Sequence, residues 1–229
     1  MIKPLVHNAQ VGTCLSKGWK IYKENFGLVL LSTLITGLIS FFTCNICAGP
    51  MSCGLFGILL ALIRGQEQKP KVSDLFKGFS KFLPAFLVIL VLFLCFSVLD
   101  LFITLVPILG LLVDLLLIFL YPAILFLAIL LVADQNATFG EAFSAPLSMI
   151  GQKPFWSFFL VVFVASVISG LGFLLCGIGI LFTMPIFYCM IAAAYDEAVG
   201  GGDASPATPP APEAEAPAAP STPEAPSAS

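Results

Sequence analysis

Charge is what this sequence has least of. Of its 229 residues only 10% are Asp, Glu, Lys or Arg, where a soluble domain carries about 25%. So few polar groups cannot cover a water-facing surface, and lipid is the implied solvent. Histidine is limited to His7, so no histidine pair stands beside the cysteines to make a zinc site. There is no Walker loop, Gly-x-Ser-x-Gly elbow, His-Glu-x-x-His pair or dinucleotide fingerprint. Neither catalysis nor a cofactor is therefore expected. A basic domain face of the kind phosphate neutralisation needs is also missing, which argues against nucleic acid as a partner. No secretory signal is expected, because the first 25 residues are polar to amphipathic and no Ala-x-Ala site follows. No lipid anchor is expected either: residue 2 is Ile and the last residues are Ser-Ala-Ser.

What is abundant is apolar. Hydrophobic residues make up 59% of the chain, with 22 Phe, and the mean hydropathy is +1.05. The few charges divide the body into three apolar blocks: Asn25 to Ile63, Phe82 to Ala133 and Pro154 to Tyr195. A helix crosses the ~30 Å hydrocarbon core in about 20 residues, so each block suits two crossings. Breakers place the turns at Cys44 to Pro50, at Pro107 to Gly110, and among Gly170, Gly172, Gly177 and Gly179. The expected spans are 27–46, 48–64, 83–106, 109–132, 155–175 and 178–196, with Pro122 kinking the fourth. The fold class is all-α: a polytopic membrane protein of six helices in three hairpins.

All ten basic residues lie outside the blocks: Lys3, Lys17, Lys20, Lys23, Arg64, Lys69, Lys71, Lys77, Lys81 and Lys153. An even number of crossings puts them on one side, which the positive-inside rule makes the cytoplasm. Both termini are then cytoplasmic and the compartment is the cell membrane. Each block is preceded by an amphipathic stretch, about 11–24, 73–81 and 138–151, expected to lie in the headgroup plane. Trp19, Tyr22, Lys77, Lys81 and Trp156 are the expected interfacial anchors. The pattern of amphipathic helix, aromatic and hairpin thus repeats three times; Leu15 to Trp19 matches Leu75 to Phe79. The membrane domain is 1–198. Residues 199–229 are almost all Ala, Pro, Ser, Thr, Gly and Glu, a composition that predicts a disordered cytoplasmic tail.

Few residues inside the blocks can carry chemistry. Asp100 and Asp114 flank the Pro107 turn and are candidates for a proton or cation site; intramembrane acids are costly and often functional. The alternatives are a wet interfacial position or protonation. Cys44, Cys47 and Cys53 cluster at the first turn, with Cys176 at the third. They are readable as a disulfide, as a redox pair or as small packing residues. Cys14, Cys95 and Cys189 read as buried small hydrophobes.

The stretch Gly18-Trp19-Lys20-Ile21-Tyr22-Lys23-Glu24-Asn25-Phe26-Gly27 resembles a broad group of uncharacterised bacterial and archaeal integral membrane proteins. That group is similar to the membrane domain attached to some glycerophosphodiester phosphodiesterases. Gly49-Pro50, Asp74 to Phe79, Asp134 to Leu147 and Ala192 to Glu197 extend the resemblance over about residues 10–198. It implies a six-pass domain with no assigned activity and carries over no catalytic residue; Asp100 and Asp114 depart from its pattern. The reading that follows is a non-enzymatic protein that organises membrane or partner proteins, with the bilayer and other membrane proteins as partners. The alternative is a small transporter or channel using Asp100 and Asp114.

Overall fold

The computed structural model describes residues 5–66, 69–103, 107–174 and 178–200, without the side chains of 107–109, 112, 173, 174 and 178. The expected tail lies almost wholly outside the described residues, as do Cys176 and Gly177 at the third turn. Among the described residues the structure is helical throughout, with no strand. The helices are α1 (Val11–Glu24), α2 (Phe26–Phe42), α3 (Ala48–Ile63), a 3-10 helix (Val72–Lys81), α4 (Phe82–Ile103), α5 (Pro107–Gln135), α6 (Phe139–Met149), α7 (Lys153–Leu174) and α8 (Ile178–Val199).

Local chemistry explains the boundaries. Between α2 and α3 the chain turns through Cys44 and Asn45, both at positive φ (49° and 64°). Pro50 falls in the first turn of α3, where the missing N–H has no intrahelical partner to lose. The start of α6 is tied by the Glu141 carboxylate, which accepts from the Thr138 backbone N–H (3.0 Å) and hydroxyl (2.9 Å). The 3-10 helix starts the same way, Asp74 accepting from the Lys71 N–H at 2.7 Å. Pro122 sits inside α5, which continues past it to Gln135.

Four stretches are long and apolar enough to cross a bilayer: Val72–Ile103, Val113–Gln135, Lys153–Gly172 and Gly179–Val199. Counting α1 and α2 as one bent span, with a bend of 97°, would add a fifth. Large side chains stay exposed along these helices, among them Phe93, Leu101, Phe102 and Ile118, an apolar surface far too continuous for water. The chain is a multi-pass membrane protein. By length and composition it offers four to five crossings where six are expected. The shortfall lies in the first block, where the turn consumes Thr43 to Cys47. That leaves 17 residues in α2 and 16 in α3, about 25 Å each at 1.5 Å per residue.

The helices pack in an order that repeats. The central trio is α3, α5 and α8, all in mutual contact. Outside it, α2, α4 and α7 each touch the central helix that follows them and the one that precedes them, α8, α3 and α5 respectively. The amphipathic elements obey the same rule: α1 packs on α8, the 3-10 helix on α3 and α6 on α5. The ring closes because α1 uses the last helix of the chain. Consequently the amphipathic helices are docked on protein rather than lying free. In α1, Cys14, Gly18, Ile21 and Tyr22 are buried, with Gly18 against Met190.

The backbones of α3 and the 3-10 helix touch. A Cβ on Gly54 would stand 1.9 Å from the Leu75 carbonyl oxygen, and one on Gly78 2.0 Å from that of Pro50. Only glycine fits either position. The core centres on α3, α5 and α8, where Phe56, Leu59, Leu127 and Tyr195 are fully buried.

Candidate functional site

The central trio ends in charge. Arg64 caps the C-terminal end of α3, Asp134 lies at the end of α5 and Asp196 near the end of α8. The Arg64 guanidinium donates through Nη1 and Nη2 (3.1 Å) to the two Asp134 oxygens, and through Nε to Asp196 at 2.8 Å. A rigid fork with five donors can hold two carboxylates at once. The Tyr195 hydroxyl donates to Asp134 at 3.2 Å, and Gln135 donates to Tyr195 at 3.0 Å. Asp196 is almost completely buried (4% side-chain exposure) and Asp134 is 16% exposed. Hydrogen bonding to Asp134 is the main influence on Arg64, and it holds the guanidinium in its charged form. The result is an ionic clasp joining three helices at one end of the bundle.

Beside the clasp the amino-terminal segment is pinned to α8. The N–H groups of Val6 and His7 both donate to the Ala198 carbonyl, at 2.8 and 3.1 Å. Glu197 accepts from the Thr13 hydroxyl (2.9 Å) and from the Cys14 thiol (3.2 Å). Burial pushes the Cys14 thiol up to about 12, and the Glu197 carboxylate adds to the shift. The two ends of the helical body therefore lie on the same side.

A cleft of about 790 Å³ opens between α3, the segment following it and the 3-10 helix. Lys69, Lys71, Lys77 and Lys81 line it, with Asp74 as the acid among its lining residues. Lys77 pairs with Asp74 at 2.8 Å. The Asp74 carboxylate also accepts from the Lys71 backbone N–H at 2.7 Å. Lys81 donates to the Ala133 carbonyl. Gly57 forms part of the wall, with nothing within 4 Å of where its Cβ would be.

The residues singled out from sequence fall into separate places. Asp100 and Asp114 do meet: their carboxyl groups interact directly across α4 and α5. Asp114 Oδ1 is buried with no hydrogen-bond partner. Cys44, Cys47 and Cys53 are free thiols. Cys44 is exposed in the turn, Cys47 is half-buried, and Cys53 is buried with its thiol 3.8 Å from the Ile129 carbonyl. Among the described residues no three His, Cys, Asp or Glu side chains converge as a metal site. Of the expected anchors, Trp19 and Trp156 are exposed (43% and 46%) and Lys77 is exposed, whereas Lys81 is half-buried. Tyr22 is inside, its ring against those of Trp19 and Phe26.

Sequence reading missed the clasp. Its members lie 70 and 132 residues apart, and no local motif joins them. A signal was present nonetheless: Arg64, Asp134 and Asp196 are each the first residue after one of the three apolar blocks. Residues that end three equivalent blocks are placed at one depth. No protein-family model, curated protein or solved structure matches this chain.

Proposed function

We propose that this is a non-catalytic integral membrane protein that organises the membrane or holds a partner protein, with both termini on the cytoplasmic side of the cell membrane. The observation that carries the reading is the solid centre. Large side chains fill the contacts among α3, α5 and α8, and the three helix ends are locked by one arginine. A packed interior resists the sliding that alternating access needs. Every basic residue lies outside the apolar blocks, which favours the clasped end as the cytoplasmic one. In the fuller layout α2 and α3 form a sixth-span arrangement of three hairpins, matching the six-pass group that the sequence resembles.

Transport is the second reading, and one observation favours it: the partnerless buried oxygen of Asp114 beside Asp100. A hydrogen bond between two carboxyl groups requires a proton on one of them, which is the chemistry of a proton site. Purified full-length protein in sealed liposomes separates the two. The scaffold reading expects proton and cation leakage equal to protein-free vesicles, together with a partner retained on cross-linking and co-purification from native membranes. A flux abolished by Asp100→Asn or Asp114→Asn would replace it with transport.

A further inference from the structure

We propose that the lysine-lined cleft between α3 and the 3-10 helix binds a phosphate group, carried by an anionic lipid headgroup or present as a free phosphate. Three features single it out from an ordinary solvated lysine face. It is concave, about 790 Å³, so several ammonium groups converge on one volume. Its charge is unbalanced: of the four lysines, only Lys77 has a carboxylate within ion-pair distance among the described residues. The Lys81 side chain is half-buried, and its described hydrogen bond goes to a backbone carbonyl. Positive charge partly removed from water, with Asp134 acting on Lys81 only from beyond ion-pair distance, is stabilised by a bound anion.

The remaining wall suits the same ligand. Ser80 and Gln66 also line the cleft and supply neutral donors. On α3, Gly57 is open and Ala61 half-buried, which leaves room for a headgroup to reach the lysines. Lysine, a compact point charge on a flexible stem, suits phosphate well. A basic pocket among membrane helices on the cytoplasmic side is where phosphate-bearing headgroups are found. The inference does not depend on whether the protein is a scaffold or a transporter.

The test uses the full-length protein in nanodiscs of phosphatidylcholine. One arm adds a fluorescent phosphatidic acid at increasing mole fraction and reads saturable energy transfer from Trp19 and Trp156. The other titrates inorganic phosphate and reads competition with that lipid. Lys71→Ala combined with Lys81→Ala is expected to weaken binding on the order of 30-fold, from the contribution of each lysine. Gly57→Leu fills the cleft without touching a charge and is expected to weaken it comparably. This variant keeps the test decisive should the double lysine variant fail to fold. Lys20→Ala with Lys23→Ala, on exposed α1 positions, is expected to change binding less than about twofold, because those lysines lie outside the cleft. Competition by millimolar phosphate identifies a free phosphate as sufficient, and saturation by lipid alone identifies the headgroup. Non-saturable binding, or equal loss in the cleft and α1 variants, would overturn the proposal.

Discussion

The molecule treats its acids in two opposite ways. At one end Asp134 and Asp196 are held by Arg64, and Asp134 also accepts from Tyr195. On α4 and α5, Asp100 and Asp114 act on each other, and one Asp114 oxygen has no hydrogen-bond partner. Exposure and countercharge both separate the pairs: Asp196 is almost completely buried and held by Arg64, whereas Asp100 is exposed and Asp114 half-buried. A buried carboxylate with a bidentate arginine becomes a structural tie, whereas one facing another carboxylate remains a cost to the fold. The clasped end is accordingly where stability is concentrated.

Removing the tie should have the largest effect. Arg64→Leu strands two largely buried carboxylates and is expected to cost on the order of 3–5 kcal/mol, measured by thermal unfolding in detergent. Arg64→Lys should recover only part of this, since an ammonium cannot span both acids as a fork does. Next is the backbone contact on the same side of the bundle. Gly54→Ala meets the Leu75 carbonyl and is expected to cost about 2–3 kcal/mol as an overpacked site. Gly57→Ala, one turn further along α3 with open space before it, should leave stability equal or slightly higher, because Ala exceeds Gly in helix propensity by about 1 kcal/mol. A comparable loss at both glycines would contradict the docking of the 3-10 helix on α3.

At the acid pair the sign should reverse. Asp114→Asn is expected to leave the unfolding temperature unchanged or raise it, since it removes a carboxylate without a countercharge. A loss as large as that of Arg64→Leu would mean the pair is a hidden structural tie. The smallest effect concerns thiols. Cys14, pushed up to about 12 and buried, should resist a maleimide from pH 7 to pH 9, while exposed Cys44 labels faster as pH rises. The raised Cys14 value means the folded state disfavours thiolate, so any stability it contributes is lost as pH climbs above 9. Rapid Cys14 labelling at pH 8 would place α1 away from Glu197.

The helices were legible in the sequence because apolar runs and breakers write them directly. The α3 helix begins at Ala48, just before Pro50, and α6 begins at the Thr138–Glu141 cap. What covers the amphipathic faces was not legible. Cys14, Gly18 and Ile21 would suit lipid or another helix equally, and their spacing does not say that α8 fills the role. Gly54 and Gly78 gave no hint of touching backbones, since a glycine in an apolar run looks the same whether its space is filled or empty. The clasp was half-written: equal position after three apolar blocks puts Arg64, Asp134 and Asp196 at one depth, but only packing of α3, α5 and α8 as the central trio brings them within reach.

A double-mutant cycle on Arg64 and Asp134, using Arg64→Leu and Asp134→Asn singly and together, tests the ionic tie between α3 and α5 most directly. The account predicts strong coupling, on the order of 1.5–3 kcal/mol, with the double variant far more stable than the sum of the singles implies. Additive losses within about 0.5 kcal/mol would mean the two side chains do not meet, and the clasped end would have no basis.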